Sequence, residues 1–210
     1  MQAPEQDHYS IARQKALERV KERWDPGRLR KLGAKPSDDA LSAELPLLNW
    51  RVDVRPEPYR ISVLPEGDEP GIVWQILTLD YLGAEEVLAP SGFVSFADFV
   101  EGRGYQRAFE GRVNRRLTST AGRDRDAFVE AVERLGGAVV EGDPVRCILR
   151  FFPLLEFQVT RHDADEDFPA SCTVLLPDNA LRLFSLEDTI VAAEKLVSAL
   201  EGKTPVVSTA

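Results

Sequence analysis

The chain has 210 residues, 43% of them hydrophobic and 29% charged, with a formal net charge of −9. That composition belongs to a globular chain long enough to bury a core without disulfides or a structural metal, and it excludes a disordered one. The acidic balance excludes binding driven by nucleic-acid phosphates or by an anionic membrane surface, because both need a positive field.

Residues 8–24, HYSIARQKALERVKERW, repeat apolar side chains at helical spacing and predict a first helix. Ile11, Ala12, Ala16, Leu17, Val20 and Trp24 face inward, Asp7 is its N-cap and Asp25-Pro26-Gly27 its stop. The polar stretch DPGRLRKLGAKPSDD reads as a loop within one domain. ELPLLNWRVDV and YRISVLPEG then alternate apolar and polar residues as short strands, broken by Pro56 and Pro58. PGIVWQILTLDYLG is the most apolar helix of the chain. Its span is 71–82, with Pro70 in the first turn, Gly83 at the end and Trp74 at the margin. It is apolar around most of its circumference and is therefore expected to be central and buried.

LAPSGFVSFADFVEG reads as a loop and a short aromatic turn. Two helices follow, one with Tyr105, Phe109, Val113 and Leu117 at i, i+4 spacing. The other has Phe128, Ala131, Val132 and Leu135 inward, Asp124 and Asp126 at its start and Gly136-Gly137 at its end. The period then changes to two. AVV, VRCILRFF, LLEFQVT and SCTVLLP predict an antiparallel meander, with Val145, Cys147, Leu149 and Phe151 on one face and Leu155, Phe157 and Val159 on another. SLEDTIVAAEKLVSALEG closes the chain as a helix capped by Ser185 with Asp188 at the capping-box position, and 203–210 is a frayed tail. The expected fold is α+β, a single domain over 1–210 in which an antiparallel sheet of four or more strands packs against the helix 71–82 and the C-terminal helix.

Cys147 and Cys172 are far apart in sequence, each in an apolar run, without the close spacing of a metal or redox pair. On outer strands of a three-strand meander they stand about 9–10 Å apart or more, beyond the ~7 Å reach of a disulfide. They are expected to be buried, reduced thiols. The first twenty residues hold no apolar core of signal-peptide length and no run approaches ~18 apolar residues, so a cytoplasmic protein is expected.

The chemistry-bearing stretches are few. RHDADEDFPASC, 161–172, places Asp163, Asp165 and Asp167 at the D-x-D-x-D spacing of a calcium loop. Phe168 then stands where such a loop needs Gly and Val174 where it needs a bidentate Glu, and strands flank it instead of helices. Those three carboxylates remain the candidates for a weakly held hard cation, and a solvated strand connection accounts for the same composition. Two histidines, His8 and His162, do not make a zinc site, and no phosphate loop or G-x-S-x-G elbow occurs. Residues 101–150 carry ten arginines. At 100° per residue Arg112 and Arg116 fall at the edge of the Tyr105–Phe109–Val113 stripe, either as partners of nearby carboxylates or as a bidentate clamp on an anionic ligand. Glu85-Glu86, just after a helix end, are at odds with its dipole and read as solvated surface.

Four stretches together, ILTLDYLGA at 76–84, GFVSFADF at 92–99, AFVEAVERLGGAVV at 127–140 and EDFPASCTVLLPDNALRLFSLEDTIVAAEKL at 166–196, resemble the prokaryotic domain-of-unknown-function family 3786 over about residues 8–202. Phe93 stands where family members tend to have Trp before the Ser-Phe turn. The resemblance implies no established activity. It implies an accessory or ligand-binding protein linked to anaerobic corrinoid or iron–sulfur metabolism, since some members look fused to iron–sulfur segments or appear beside corrinoid methyl-transfer proteins. This chain lacks the cysteine cluster, so no resident cofactor is expected and an iron–sulfur or corrinoid protein is the implied partner. The resemblance also makes Phe168-Pro169 architectural, with a buried ring anchoring the acidic loop. The rival expectation is an enzyme acting on an anionic small molecule in a cleft edged by Arg112 and Arg116.

Overall fold

Period-two alternation produces two antiparallel sheets where a single one was expected. The computed structural model describes residues 4–140 and 142–206. The first sheet runs in chain order through β1 (Lys35–Pro36), β2 (Ala43–Leu47), β3 (Trp50–Pro56) and β4 (Tyr59–Leu64). The second contains β5 (Phe93–Val94), β6 (Ala138–Val140), β7 (Val145–Phe152), β8 (Leu155–His162) and β9 (Ser171–Pro177) in the order β5-β9-β8-β7-β6. The class is α+β as expected. The strands of 43–64 pair with one another through short turns, and they touch the meander at a corner where the Leu48 amide donates to the Phe151 carbonyl at 3.0 Å. Within the meander Cys147 opposes Val159 and Leu149 opposes Phe157. Directly opposed residues point the same way, so the two apolar sets expected on separate faces form one buried face.

β8 separates Cys147 from Cys172, and both thiols are free and buried. Burial pushes the Cys147 thiol up to about 12, which leaves an inert side chain.

Helix α1 (Pro4–Glu22) begins before Asp7, so Asp7 does not stand at its N-terminus. Ala16 and Val20 are buried, whereas Ile11 is 56% exposed, because the inward stripe of α1 starts only where it meets α3 (Ile72–Leu82). Asp25 does not merely stop α1. Its side chain accepts from the Arg28 amide at 2.7 Å and starts a second helix, α2 (Pro26–Lys31), within the stretch read as a loop. α3 is buried along most of its length, and so is Trp74, which lies on the Phe151 ring at 5.6 Å and meets Trp50 edge-on at 6.4 Å. The margin expected for Trp74 does not exist, since both sheets reach it. Tyr81 stacks on Phe152 at 4.5 Å, donates its hydroxyl to the Leu32 carbonyl at 2.7 Å and accepts from the Leu154 amide at 3.0 Å.

α4 (Gln106–Phe109) and α5 (Arg116–Ser119) are joined by a π-helical turn, Glu110–Arg115. Tyr105 precedes this rod and is exposed, while Phe109, Val113 and Leu117 are buried. The rod covers the open edge of β9. The Val174 amide donates to Asn114 Oδ1 at 3.0 Å and the Cys172 amide to Thr118 Oγ1 at 2.9 Å. Positions i and i+4 of the rod thus satisfy alternate amides of a strand edge that would otherwise be open for pairing. α6 (Arg125–Arg134) is capped by Asp124, then α7 (Ala180–Leu183) leads to α8 (Leu186–Leu200), capped by Ser185 as expected.

Two expectations at the chain's loops are corrected. Phe168 is 70% exposed, because Asp165 accepts the Asp167 and Phe168 amides and folds the loop into a turn that carries the ring outward. The tail is pinned at 203–206: the Gly71 amide donates to the Pro205 carbonyl at 2.9 Å and Val206 bridges Pro70. Residues 207–210 lie outside the described residues.

Asn114→Ala should lower stability by about 1–3 kcal/mol, because it leaves the buried Val174 amide without an acceptor. Phe168→Ala should stay within about 0.5 kcal/mol of the parent. Urea unfolding of the two variants checks the order, and a larger loss for Phe168→Ala than for Asn114→Ala contradicts it.

Candidate functional site

Val73, Ile76, Leu77 and Asp80 share one face of α3, and Asp188, Val191, Lys195 and Ser198 share one face of α8, each set at the i, i+3/i+4 spacing of a helix. The two faces line a groove of three adjoining cavities. The first, about 600 Å³, lies at the α3 N-terminus and the α8 C-terminus and is walled by Trp74, Lys195 and the segment 202–206. The second, about 380 Å³, shares Val73 and Lys195 with it and has Ile76, Leu77 and Val191 as an apolar floor. The third, about 340 Å³, shares Asp188 with the second and lies at the opposite end, around Asp80 and Arg19.

The first cavity contains two lysines and no carboxylate among its lining residues, in a chain with 35 acidic and 26 basic side chains. Lys195 is half-buried and makes no ion pair among the described residues; its ammonium lies 5.9 Å from the Trp74 ring centroid. Burial lowers its pKa, and Arg116 and Lys203 as neighbouring cations lower it further against the opposing pull of Glu194. Gly71 has no side chain to cap α3, and the amides of Ile72 and Val73 donate to nothing among the described residues. Lys203 bonds to Glu201 at 3.1 Å.

Arg112 and Arg116, the arginines singled out by periodicity, both point to α8. Arg112 grips Glu194 with two bonds of 2.7 and 2.8 Å and Glu187 with a third of 3.0 Å. Arg116 grips Glu201 at 2.9 and 2.6 Å and donates to Ser198 at 3.0 Å. Arg112 borders the second cavity, and Arg116 borders none of the three. The hydrogen bonds that Arg112 donates to Glu194 raise its pKa. Burial pushes Glu201 up, yet Arg116 and Lys203 outweigh it and hold the carboxyl at about 2.

The acidic loop does not gather its carboxylates. Asp163 bonds to the buried Arg161 and to Arg125, the latter at 2.6 Å, and these bonds, Arg161's first, hold its pKa down. Asp165 is occupied by its turn, and Asp167 is exposed. Among the described residues no cluster of three His, Cys, Asp or Glu could hold a metal ion. Glu85 and Glu86 face Arg23 and Arg182 at 3.3 and 3.1 Å, so the acidic pair beyond α3 sits opposite cations. Arg23 and Arg28 also donate to the Gly83 and Ala84 carbonyls, which neutralises the negative end of the helix.

Sequence reasoning missed Lys195 and also Asp80, although a lone carboxylate in a helix apolar all round is a readable signal. Asp80 is 8% exposed and paired with Arg19 of α1. Burial, and then the like charge of Asp188, push its pKa up to about 6 against the attraction of Arg19. Arg23, Glu85 and Arg182 are the other charged groups of its cavity. A carboxylate kept where it is poorly solvated is a feature of functional sites.

The chain matches the family model described as Domain of unknown function (DUF3786) over residues 27–199, and so belongs to that family. No curated protein and no solved structure matches it. Among the described residues no helix is long and apolar enough to cross a membrane.

The folded value of about 6 for Asp80 lies above the ordinary carboxylate value, so the folded chain holds this proton more tightly than the unfolded chain. The stability tied to that proton is complete below about pH 4 and is lost as pH rises through about 6; at pH 8 the ionised group costs about 3 kcal/mol. Relative to the parent, Asp80→Asn should therefore gain about 2–3 kcal/mol between pH 4 and pH 8 in urea unfolding. A stability difference that does not change with pH refutes this assignment.

Proposed function

We propose that this DUF3786 member is a ligand-binding accessory protein that holds an anionic, partly apolar small molecule in the groove between α3 and α8. The observation that carries this reading is Lys195: a half-buried ammonium without an ion pair, in a cavity of about 600 Å³ lined by lysines and no carboxylate. Ligand pockets typically pair a mostly apolar lining with a few converging polar groups. Here Val73, Trp74 and Val206 supply apolar wall and Lys195 the charge. An anion beside Lys195 restores the charged form that burial disfavours and relieves its repulsion with Arg116 and Lys203.

The context implied by the family resemblance puts corrinoids first among ligands to test, and an iron–sulfur or corrinoid protein first among partners that would deliver or receive the ligand. The alternative, an enzyme acting on an anion clamped by Arg112 and Arg116, requires those guanidinium groups to leave Glu194 and Glu201. Lys195 needs no such exchange.

A thermal-shift screen of carboxylates, phosphate esters and corrinoids should find anions that raise the melting temperature, as any ligand of the native state does. Lys195→Gln should weaken such a ligand at least tenfold, a change of about 1.4 kcal/mol. Arg112→Gln should leave its affinity within about twofold. The opposite ranking of the two variants supports the clamp and removes Lys195 from the site.

A further inference from the structure

We infer that the anion taken by the first cavity is a dianion, a phosphate monoester on a small organic body, and that Lys203 is its second clamp. This rests on the reading that the cavity binds an anion at all; what it adds is the charge and class of that anion.

Arg116, Lys195 and Lys203 are close enough that both other cations depress Lys195. One carboxylate, Glu201, answers Arg116 and Lys203 together. Among the described residues the charged side chains lining the cavity are Lys195 and Lys203, two cations with no lining carboxylate. Glu194 attracts Lys195 from outside the cavity, where Arg112 holds both its oxygens, and Arg116 and Glu201 likewise lie outside the lining. A monoanion leaves one of the two lining charges unanswered, whereas a dianion matches both.

The cations near Lys195 differ in how freely they can turn to a ligand. Arg116 cannot do so cheaply, since two parallel bonds tie it to Glu201 and a third to Ser198. Lys203 can. It has one contact of 3.1 Å to an oxygen that Arg116 already occupies at 2.6 Å, and its side chain is 67% exposed. Releasing Lys203 leaves Glu201 still paired. Lysine binds phosphate as a compact point charge with three donors, which suits a headgroup reached from a mobile stem.

Lys203 lies on a strap, 202–206, that leaves α8 at Gly202, where φ is +89°, and returns to α3 through Pro205 and Val206. The strap thus sets Lys203 and Lys195 in the same cavity wall, with Trp74 and Val73 on the α3 side. Apolar wall beside paired lysines fits a phosphorylated metabolite better than inorganic phosphate alone.

The test is isothermal titration of the full chain with hexyl phosphate and heptanoate, which differ in headgroup charge and share an alkyl body. At pH 8 hexyl phosphate should bind at least tenfold tighter. The ratio should fall below threefold at pH 5, where the phosphate has lost most of its second charge. Lys203→Gln should weaken hexyl phosphate about tenfold and heptanoate less than twofold, with Lys203→Arg restoring most of the loss. Equal affinity for the two ligands at pH 8, or a Lys203→Gln loss shared by both, overturns the dianion and leaves the anion reading standing. Binding of neither ligand, with no anion found in the broader screen, removes the anion reading and this inference with it. A phosphoserine peptide that binds as tightly as hexyl phosphate overturns the assignment to a small metabolite.

Discussion

The fold depends on burying α3. Nine of its eleven residues, Trp74 to Leu82, are buried, and its two largest rings join elements that do not otherwise share a sheet. Trp74 ties β3 to β7 through Trp50 and Phe151, and Tyr81 ties the end of α2 to the β7–β8 turn through Leu32 and Leu154. Apolar area on this scale supplies much of the free energy available to the chain, but a helix covered from several sides leaves no room for unpaired polar groups. Each polar side chain on α3 has a specific answer. Thr78 donates back to Trp74, Gln75 is held by Arg13, Tyr59, Glu69 and Pro70, and Asp80 meets Arg19. Two of these partners come from α1, which explains why that helix docks on α3 by charge and polarity as much as by its short apolar stripe.

α8 does not close fully on α3. Its acidic face, Glu187, Glu194 and Glu201, is drawn toward the arginines of the rod 106–119. Its other flank, with Val191 and Lys195, is left along the groove. The ion pairs there are partly exposed, and each is worth little as stability in isolation. Their effect is on position. Arg112 and Arg116 fasten α8 and its end to the rod. Of the arginines chosen from the sequence, Arg112 borders the second cavity while bound to Glu194 and Glu187, and Arg116, bound to Glu201, borders none of the three.

Much of this was legible in the sequence, because local periodicity and capping decide it. The strands of the meander, the helices capped by Asp124 and Ser185, and the burial of α3 follow from side-chain spacing alone. What was not legible depends on contacts between distant segments. Sheet membership is decided by which strands meet across a corner. Trp74 is buried because two sheets reach it, and Phe168 is exposed because a hydrogen-bonded turn outweighs the tendency of a ring to be inside. Lys195 looked like any charged residue on an amphipathic helix. It becomes a site only because the chain returns along 202–206 and walls it in. Asp80 is different, since a single carboxylate among Leu79, Tyr81 and Leu82 could have been noticed from the sequence.

Electrostatics orders the groove from end to end. Around Asp80 the opposite charges are matched, with Arg19, Arg23 and Arg182 against Asp80, Asp188 and Glu85. In the middle, Glu187, Asp188 and Glu194 outnumber Arg112 and Lys195 among the lining residues. At the α3 N-terminus only lysines remain, beside a helix end whose first amides are uncapped. A surface selected only for solubility in a chain of net charge −9 has no reason to line a cavity of about 600 Å³ with two lysines and no carboxylate. If the groove takes an elongated amphiphile as proposed, the gradient sets its orientation: the charged head would lie at Lys195 and the apolar body over Val73, Ile76 and Val191. The reverse orientation meets Asp188 and the glutamates of α8, and like charge at that range disfavours it.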